Sequence, residues 1–264
     1  MPPSSAAPEA PGIAGTTGQY REDRPCPELQ AQFQCIWTSA LPDHHAGDIV
    51  VVPDGCVDVI WRAGRLLVVG PDIVAAHPDL PAGARVIGAR FQPGAARRWL
   101  GLPLSEIVGL KIELADVQGT WARAFAQRMG DAQSWALQAQ VFQEQLMAAP
   151  KPVAGPDPGA SEIFRLAALS AEDEGGAAAR MRERLNISQR TLLRHCRDHF
   201  GYGPKTLERI LRFQRFLSLA REDHNTGLVA LAVDTGYADQ AHLAREVRAL
   251  CGMTATALLD QVWH

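Results

Sequence analysis

Residues 228–250, LVALAVDTGYADQAHLAREVRAL, confine the fold more tightly than any other stretch of this chain. Leu228, Leu231 and Ala232 recur at helical spacing, which predicts a short helix with one apolar face. Gly236 follows at once, where a helix end most often needs a residue tolerant of positive φ. Asp239 then offers a side-chain N-cap, and Leu243, Val247 and Leu250 continue an apolar stripe at i, i+4 and i+7. Gln240, Ala241, His242 and Arg245 are left on the outer face. Two short helices about a tight turn make a helix-turn-helix. Outward Gln and Arg near the start of its second helix can bond base edges in pairs.

A second copy of this layout is expected upstream. Ala177–Leu185 reads as a helix, Asn186-Ile187 as its turn, and Ser188 as the N-cap of Gln189–Phe200. Leu192, Cys196 and Phe200 would face inward, with Gln189, Arg190, Thr191 and Arg194 outward. Gly201 closes that helix, and Pro204 sits at the N1 position proline favours, opening a connecting helix to about residue 220. About 17 residues give roughly 25 Å at about 1.5 Å per residue. With the width of the flanking units, the recognition helices would stand about 34 Å apart, one turn of B-DNA. Gln189, Arg190, Thr191, Arg194, Gln240, His242 and Arg245 are then the expected base-reading residues. Lys205, Arg209 and Arg212, at i, i+4 and i+7 of the connecting helix, and Arg197 are expected at phosphates.

The net charge of −3 hides this focus: residues 176–221 hold 11 Lys or Arg against three acids, so the basic charge gathers on one subsite.

The segment GYADQAHLAREVRALCG resembles the signature of the AraC/XylS family of transcription regulators. Turn glycine, aromatic, outward Arg and closing glycine (Gly236, Tyr237, Arg245, Gly252) fall at the family spacing. Val247, Ala255 and Asp260 stand where the family more often has Phe, Pro and Arg. The first unit resembles the family's first recognition helix, S-x-x-x-L-x-R. The resemblance implies two helix-turn-helix units in one chain, binding double-stranded DNA. It also implies an N-terminal domain that binds a small effector, dimerises, or both.

The proline-rich run PKPVAGPDPG, residues 150–159, is the clearest linker. It divides the chain into a disordered tail (1–25), a sensor or dimerisation domain (26–149), a linker (150–160) and a DNA-binding domain (161–264). The last opens with a helix over 162–171. Within the sensor domain AQFQCIW alternates, placing Phe33, Cys35 and Trp37 on one face. Pro53-Asp54-Gly55 breaks the next β-rich runs, and 66–69, 73–76 and 84–91 add strands. Short strands with frequent turns predict a small antiparallel barrel or sandwich. A strand over 88–91 would end at Pro93, before a short helix over 95–100. Residues 121–149 read as two helices separated at Gly130-Asp131, with Trp121, Phe125 and Met129 on one stripe and Leu137, Val141 and Gln145, with Phe142 and Leu146, on another. They pack on the sheet or form a subunit interface. GARFQPGAARRWLGLPLSEIVG resembles the sensor-side domain of a subset of AraC-type regulators, on its F-x-P-G-A run and the earlier P-D-G-x-x-D. The fold class is α+β: an antiparallel β N-terminal domain with helices, then an all-α domain whose two units share a long helix.

Trp37, Asp58 and Trp61 are the effector-binding candidates; Asp58 points into the barrel or pairs with Arg62. Five widely spaced cysteines form neither a disulfide framework nor a zinc site. His44, His45 and His77 do not make a metal set, so neither metal nor cofactor is expected. No apolar run reaches the roughly 18 residues of a membrane span, and the N-terminus lacks a signal-peptide pattern, which predicts a cytoplasmic protein. RNA polymerase, a small effector and a second copy are open partners. Alternatives are a small enzyme or a redox- or electrophile-sensing domain, through Cys56, fused to a DNA-binding module. A scaffold binding acidic proteins or RNA fits less well, since aromatics are not interleaved with the basic residues.

Overall fold

A computed structural model describes residues 12–45, 47–150, 155–169, 177–224 and 226–263. The expected tail before residue 12, the linker core at 151–154 and the end of the helix expected over 162–171 lie outside them.

The N-terminal half is built on strands β1 (Gly12–Ile13), β2 (Gln19–Asp23), β3 (Phe33–Ala40), β4 (Ile49–Val50), β5 (Asp58–Arg62), β6 (Arg65–Val69), β7 (Arg85–Phe91) and β8 (Lys111–Glu113). Among the described residues, six of these form one antiparallel sheet in the order β2-β3-β7-β5-β6-β8, while β1 and β4 pair in parallel. The sheet is open, not closed into the barrel expected as one option. Alternation divides it into two faces. Ile36, Val59, Trp61, Val68, Ile87, Ala89 and Phe91 face helices α1 (Ala96–Leu100), α2 (Leu114–Asp131) and α3 (Trp135–Met147) in the main core. Trp37, Ile60, Leu67, Val69 and Val86 face the other way. Ser134, not Gly130-Asp131, marks the break between α2 and α3, its hydroxyl capping Leu137 N–H. Leu137 is exposed, while Phe142, Gln145 and Leu146 of the expected second stripe are buried.

Three expectations need correcting here. A β-bulge between Phe33 and Cys35 breaks the alternation, so Phe33 shares the core face with Ile36 while Trp37 lies opposite. Residues 73–76 make only an isolated bridge, Val51 to Ala76. Most consequential, residues 12–24 are not a free tail. All five residues of β2 pair with β3, and Ile13 is fully buried in the core of the C-terminal domain. The Ile13 N–H donates to Gln261 Oε1 at 3.0 Å. Few large apolar residues precede Leu29, but the one at position 13 anchors the strand.

The C-terminal half comprises α4 (Pro158–Leu169), α5 (Ala177–Leu185), α6 (Gln189–Phe200), α7 (Pro204–Glu222), α8 (Leu228–Asp234), α9 (Gln240–Cys251) and α10 (Ala255–Trp263). Helix α4 starts inside the expected linker, because Asp157 Oδ1 accepts the Ala160 N–H and so supplies an N-cap. Phe213, Phe216, Leu217 and Ala220 place α7 at the centre of the core. The halves are docked against each other. Asp157 N–H donates to Gly94 O, Gln214 Nε2 to Pro53 O at 2.7 Å, and Ala75 N–H to Leu250 O at 2.6 Å. At the end of α6, Gly201 takes φ +86° against Pro71, Leu104 and Val108; a Cβ there would meet all three.

Candidate nucleic-acid interface and effector cavity

The two recognition helices have local causes. Ser188 Oγ accepts the Thr191 N–H at the start of α6, and Asp239 Oδ1 the His242 N–H at the start of α9. Gly201 and Gly252 end both helices at positive φ. Leu192, Cys196 and Phe200 on α6, and Leu243, Val247 and Leu250 on α9, are buried as expected. The opposite faces carry Gln189, Arg190 and Arg194, and Gln240 and Arg245, all exposed. Thr191 is half-buried, its hydroxyl 3.0 Å from that of Ser188. His242 packs edge-on against Tyr237, with ring centroids 5.3 Å apart.

The expected phosphate contacts divide differently. Arg197 and Lys205 are exposed. Arg209 is turned to Glu246, Nε to Oε2 at 2.7 Å, and ties α7 to α9. Arg212 is 9 % exposed, with its guanidinium 5.6 Å from the Tyr237 ring centroid. Helical spacing placed both on one stripe, but that stripe faces the second unit rather than solvent. Arg248, exposed in the last turn of α9, was not anticipated.

The sheet face opposite the main core, with the segments around β1, β4 and residues 72–80, encloses a cavity of about 460 Å³. Leu41, Ile49, Ile60, Val69, Leu80 and Val86 give it apolar walls. Trp37 lines it, lying flat over Gly88, where any Cβ would overlap the indole. Trp37 Nε1 donates to Asp58 Oδ1 at 3.0 Å. The expected Arg62 partner of Asp58 is instead Arg90, its cross-strand neighbour, Nε to Oδ1 at 3.4 Å. Arg90 also reaches Asp54 at 3.2 Å and Glu22 at 3.5 Å. Burial pushes the Asp58 carboxyl up, and Arg90 draws it only partly back. Burial opposes the charge on Arg90, but Asp58 and Asp54 outweigh it and hold the guanidinium protonated. Asp72 is pushed up to about 6, first by burial and then by Asp54, with Lys111 opposing.

Of the three effector candidates, the structure brings Trp37 and Asp58 to this cavity. Trp61 is on the other face, 6 % exposed in the main core, because strand neighbours two apart share a face and Trp61 is three from Asp58. Arg90, Asp72, Lys111, Gln214 and Arg221 were missed. Alternation along RVIGARF puts Val86, Gly88 and Arg90 on one face, which is the signal that could have found Arg90. Cys56 is held as a thiol: burial and the neighbouring Asp54 push it well up.

Two capped helices with outward polar faces, packed on one central helix beside a cavity-bearing β domain, define a protein with two helix-turn-helix units. Residues 181–261 match the family model of a helix-turn-helix domain, and residues 21–113 that of a domain of unknown function (DUF6597). The C-terminal half of the chain therefore carries a helix-turn-helix domain, the architecture of a DNA-binding module. Comparison with the curated proteins finds no match. Among solved structures it is similar to ToxT from Vibrio cholerae. An apo lysine-to-alanine variant from strain SCE256 is 11 % identical, covering 92 % of this chain and 96 % of that one, with TM-score 0.48. The O395 protein is 10 % identical over 92 % and 97 %, TM-score 0.47. The O395 protein bound to (E)-4-(8-methylnaphthalen-1-yl)but-3-enoic acid is 10 % identical over 92 % and 98 %, TM-score 0.46. No helix among the described residues is long and apolar enough to cross a membrane.

Proposed function

We propose that one chain reads two successive major grooves, and that a small molecule with an apolar body and a polar group, held in the β-domain cavity, sets how well it does so. The reading of bases falls to Gln189, Arg190, Thr191 and Arg194 in the first groove and to Gln240, His242 and Arg245 in the second. Arg197 and Lys205 supply phosphate contacts. The 19 residues of α7 span about 28 Å at about 1.5 Å per residue, which suits sites one helical turn apart.

The observation that carries the effector reading is the identity of the cavity wall. Gln214 and Arg221 belong to α7, the helix that holds both units. Asp72, Ala76 and Leu80 belong to the segment whose Ala75 N–H bonds Leu250 of α9. An occupant therefore touches the β domain, the connecting helix and a loop seated on the second unit. A ligand that favours one arrangement of these parts shifts the population able to bind DNA by its differential affinity. The same reading places the protein in the cytoplasm, with RNA polymerase and a second copy of the chain as further partners on DNA.

Footprinting on the DNA upstream of its own gene, across a salt series, tests it. The expected result is a protected site of about two turns per chain whose affinity falls steeply with salt. A screen of small amphipathic molecules for a change in that affinity, repeated with Gln214→Ala, tests the cavity. A ligand whose effect is unchanged by Gln214→Ala acts by another route.

A further inference from the structure

At the joint between the halves, away from the cavity, Asp157, His195 and His199 converge. Each offers one potential ligand atom, and all three atoms lie within 4.8 Å of one another. His195 and His199 are four residues apart on α6, so both imidazoles leave the same face of that helix. Asp157 stands at the entrance to α4. Its carboxylate is fixed from behind: Oδ1 accepts the Ala160 N–H at 3.0 Å, and Oδ2 accepts Arg98 at 2.9 Å. Each oxygen keeps a further lone pair for another partner. Such outer contacts are what orient a metal ligand.

A second observation is independent of the clustering. His199 is only 6 % exposed, and its Nδ1 is buried with no hydrogen-bond partner. A buried imidazole nitrogen normally finds a donor, an acceptor or an ion. Its ring stacks on that of His195, with centroids 5.9 Å apart.

We propose that Asp157, His195 and His199 form a binding site for a first-row transition-metal dication, with zinc(II) as its simplest occupant. Two neutral imidazoles and a carboxylate are the ligand types such ions take, and water fills the remaining position. Around a tetrahedral ion with bonds of about 2.1 Å the ligand atoms stand about 3.4 Å apart, so side-chain rotations of about an ångström close the set. The ion carries two positive charges and Asp157 offsets one, with Arg98 and Arg97 nearby. That balance favours an exchangeable ion over a permanently held one. Bound metal clamps the segment entering the C-terminal domain to the flank of the first recognition helix. The outward residues Arg190 and Arg194 stay free.

The test uses the full-length protein, stripped with a chelator and titrated with zinc(II) against a chromophoric competitor, then with cobalt(II) by visible absorption. Wild type is expected to take up one equivalent and to give the d–d bands of a low-coordinate cobalt site. Asp157→Asn keeps an acceptor for the Ala160 N–H, and His195→Asn replaces a half-buried ring, so both keep the fold by circular dichroism. Each is expected to bind at least tenfold more weakly and to lose the cobalt spectrum. Zinc should raise the thermal midpoint of wild type and leave those of the variants unmoved. Absence of stoichiometric uptake by wild type, or wild-type affinity and spectrum in both variants, overturns the assignment. None of these readouts requires DNA.

Discussion

Replacing Ile13 with alanine probes whether the start of the chain is a working part of the C-terminal core. The side chain is fully buried among residues of the DNA-binding domain, although it stands in β1 of the other half. Ile13→Ala removes three carbons. At about 0.8 kcal/mol per buried methylene this costs about 2.4 kcal/mol, and the space left behind adds a cavity cost. Helix α10 and β4 hold the site from both sides, with backbone bonds Gly12 N–H to Asp48 O and Ala14 N–H to Val50 O that survive the substitution. Collapse around the missing atoms is therefore limited, and the expected total is about 3–4 kcal/mol, within the usual range for such truncations. Urea unfolding followed by far-UV circular dichroism measures it. A loss of that size, with the halves melting apart in two steps, is the expected outcome. A change below about 0.5 kcal/mol, typical of an unpacked surface position, would refute the docking of residue 13.

Arg194→Ala and Arg245→Ala should each cost about 1–3 kcal/mol of specific DNA binding, roughly 5- to 150-fold in Kd by mobility shift, with circular dichroism unchanged. Lys205→Ala should weaken binding to all sequences and lower the salt slope by about one. Arg209→Ala should instead lower the unfolding midpoint and leave that slope alone, because its partner is Glu246. Gly88→Ala should push the Trp37 indole off the sheet, break its bond to Asp58 and shift the tryptophan fluorescence. The folded Asp72 carboxyl keeps its proton up to about pH 6, against an ordinary value of 3.8. The folded state thus holds more protons in that window, so this group's contribution to stability declines as pH rises from about 4 to 6 and is flat above. Asp72→Asn should remove that slope and raise the midpoint at pH 7; a slope unchanged in the variant would assign it to another group.

What the sequence disclosed and what it hid follow the range of the forces involved. Ser188, Asp239, Gly201 and Gly252 act within one turn of their own helix, so the recognition helices could be read to within a residue. Arg212 was misplaced because charge alone reads as surface; the aromatic face of Tyr237 that shelters it is 25 residues away. Strand pairing is longer-ranged still. Asp58 and Arg90 sit 32 positions apart, and only the β5–β7 register sets them opposite one another. The bulge after Phe33 inverts the faces of β3 without any glycine or proline to announce it. Two-residue β1 has no periodicity to detect, and its burial depends on α10 at the far end of the chain. His195 and His199 were visible as an i, i+4 pair, but Asp157 lay in what read as linker.

That Gln214 and Arg221 form part of the cavity wall bears on how such a protein can be taken apart or diversified. If the cavity holds the proposed effector, ligand preference is not an attribute of the first 150 residues alone. Grafting that portion onto another DNA-reading domain would carry over Trp37, Asp58 and Arg90 but leave two wall residues behind, and Ile13 without its socket. Chimaeras should therefore exchange α7 together with the β domain, keeping α6 and α9 as the variable parts. Under the proposed function, operator choice would rest on the outward residues of those two helices and could then drift while the chemical cue stays the same.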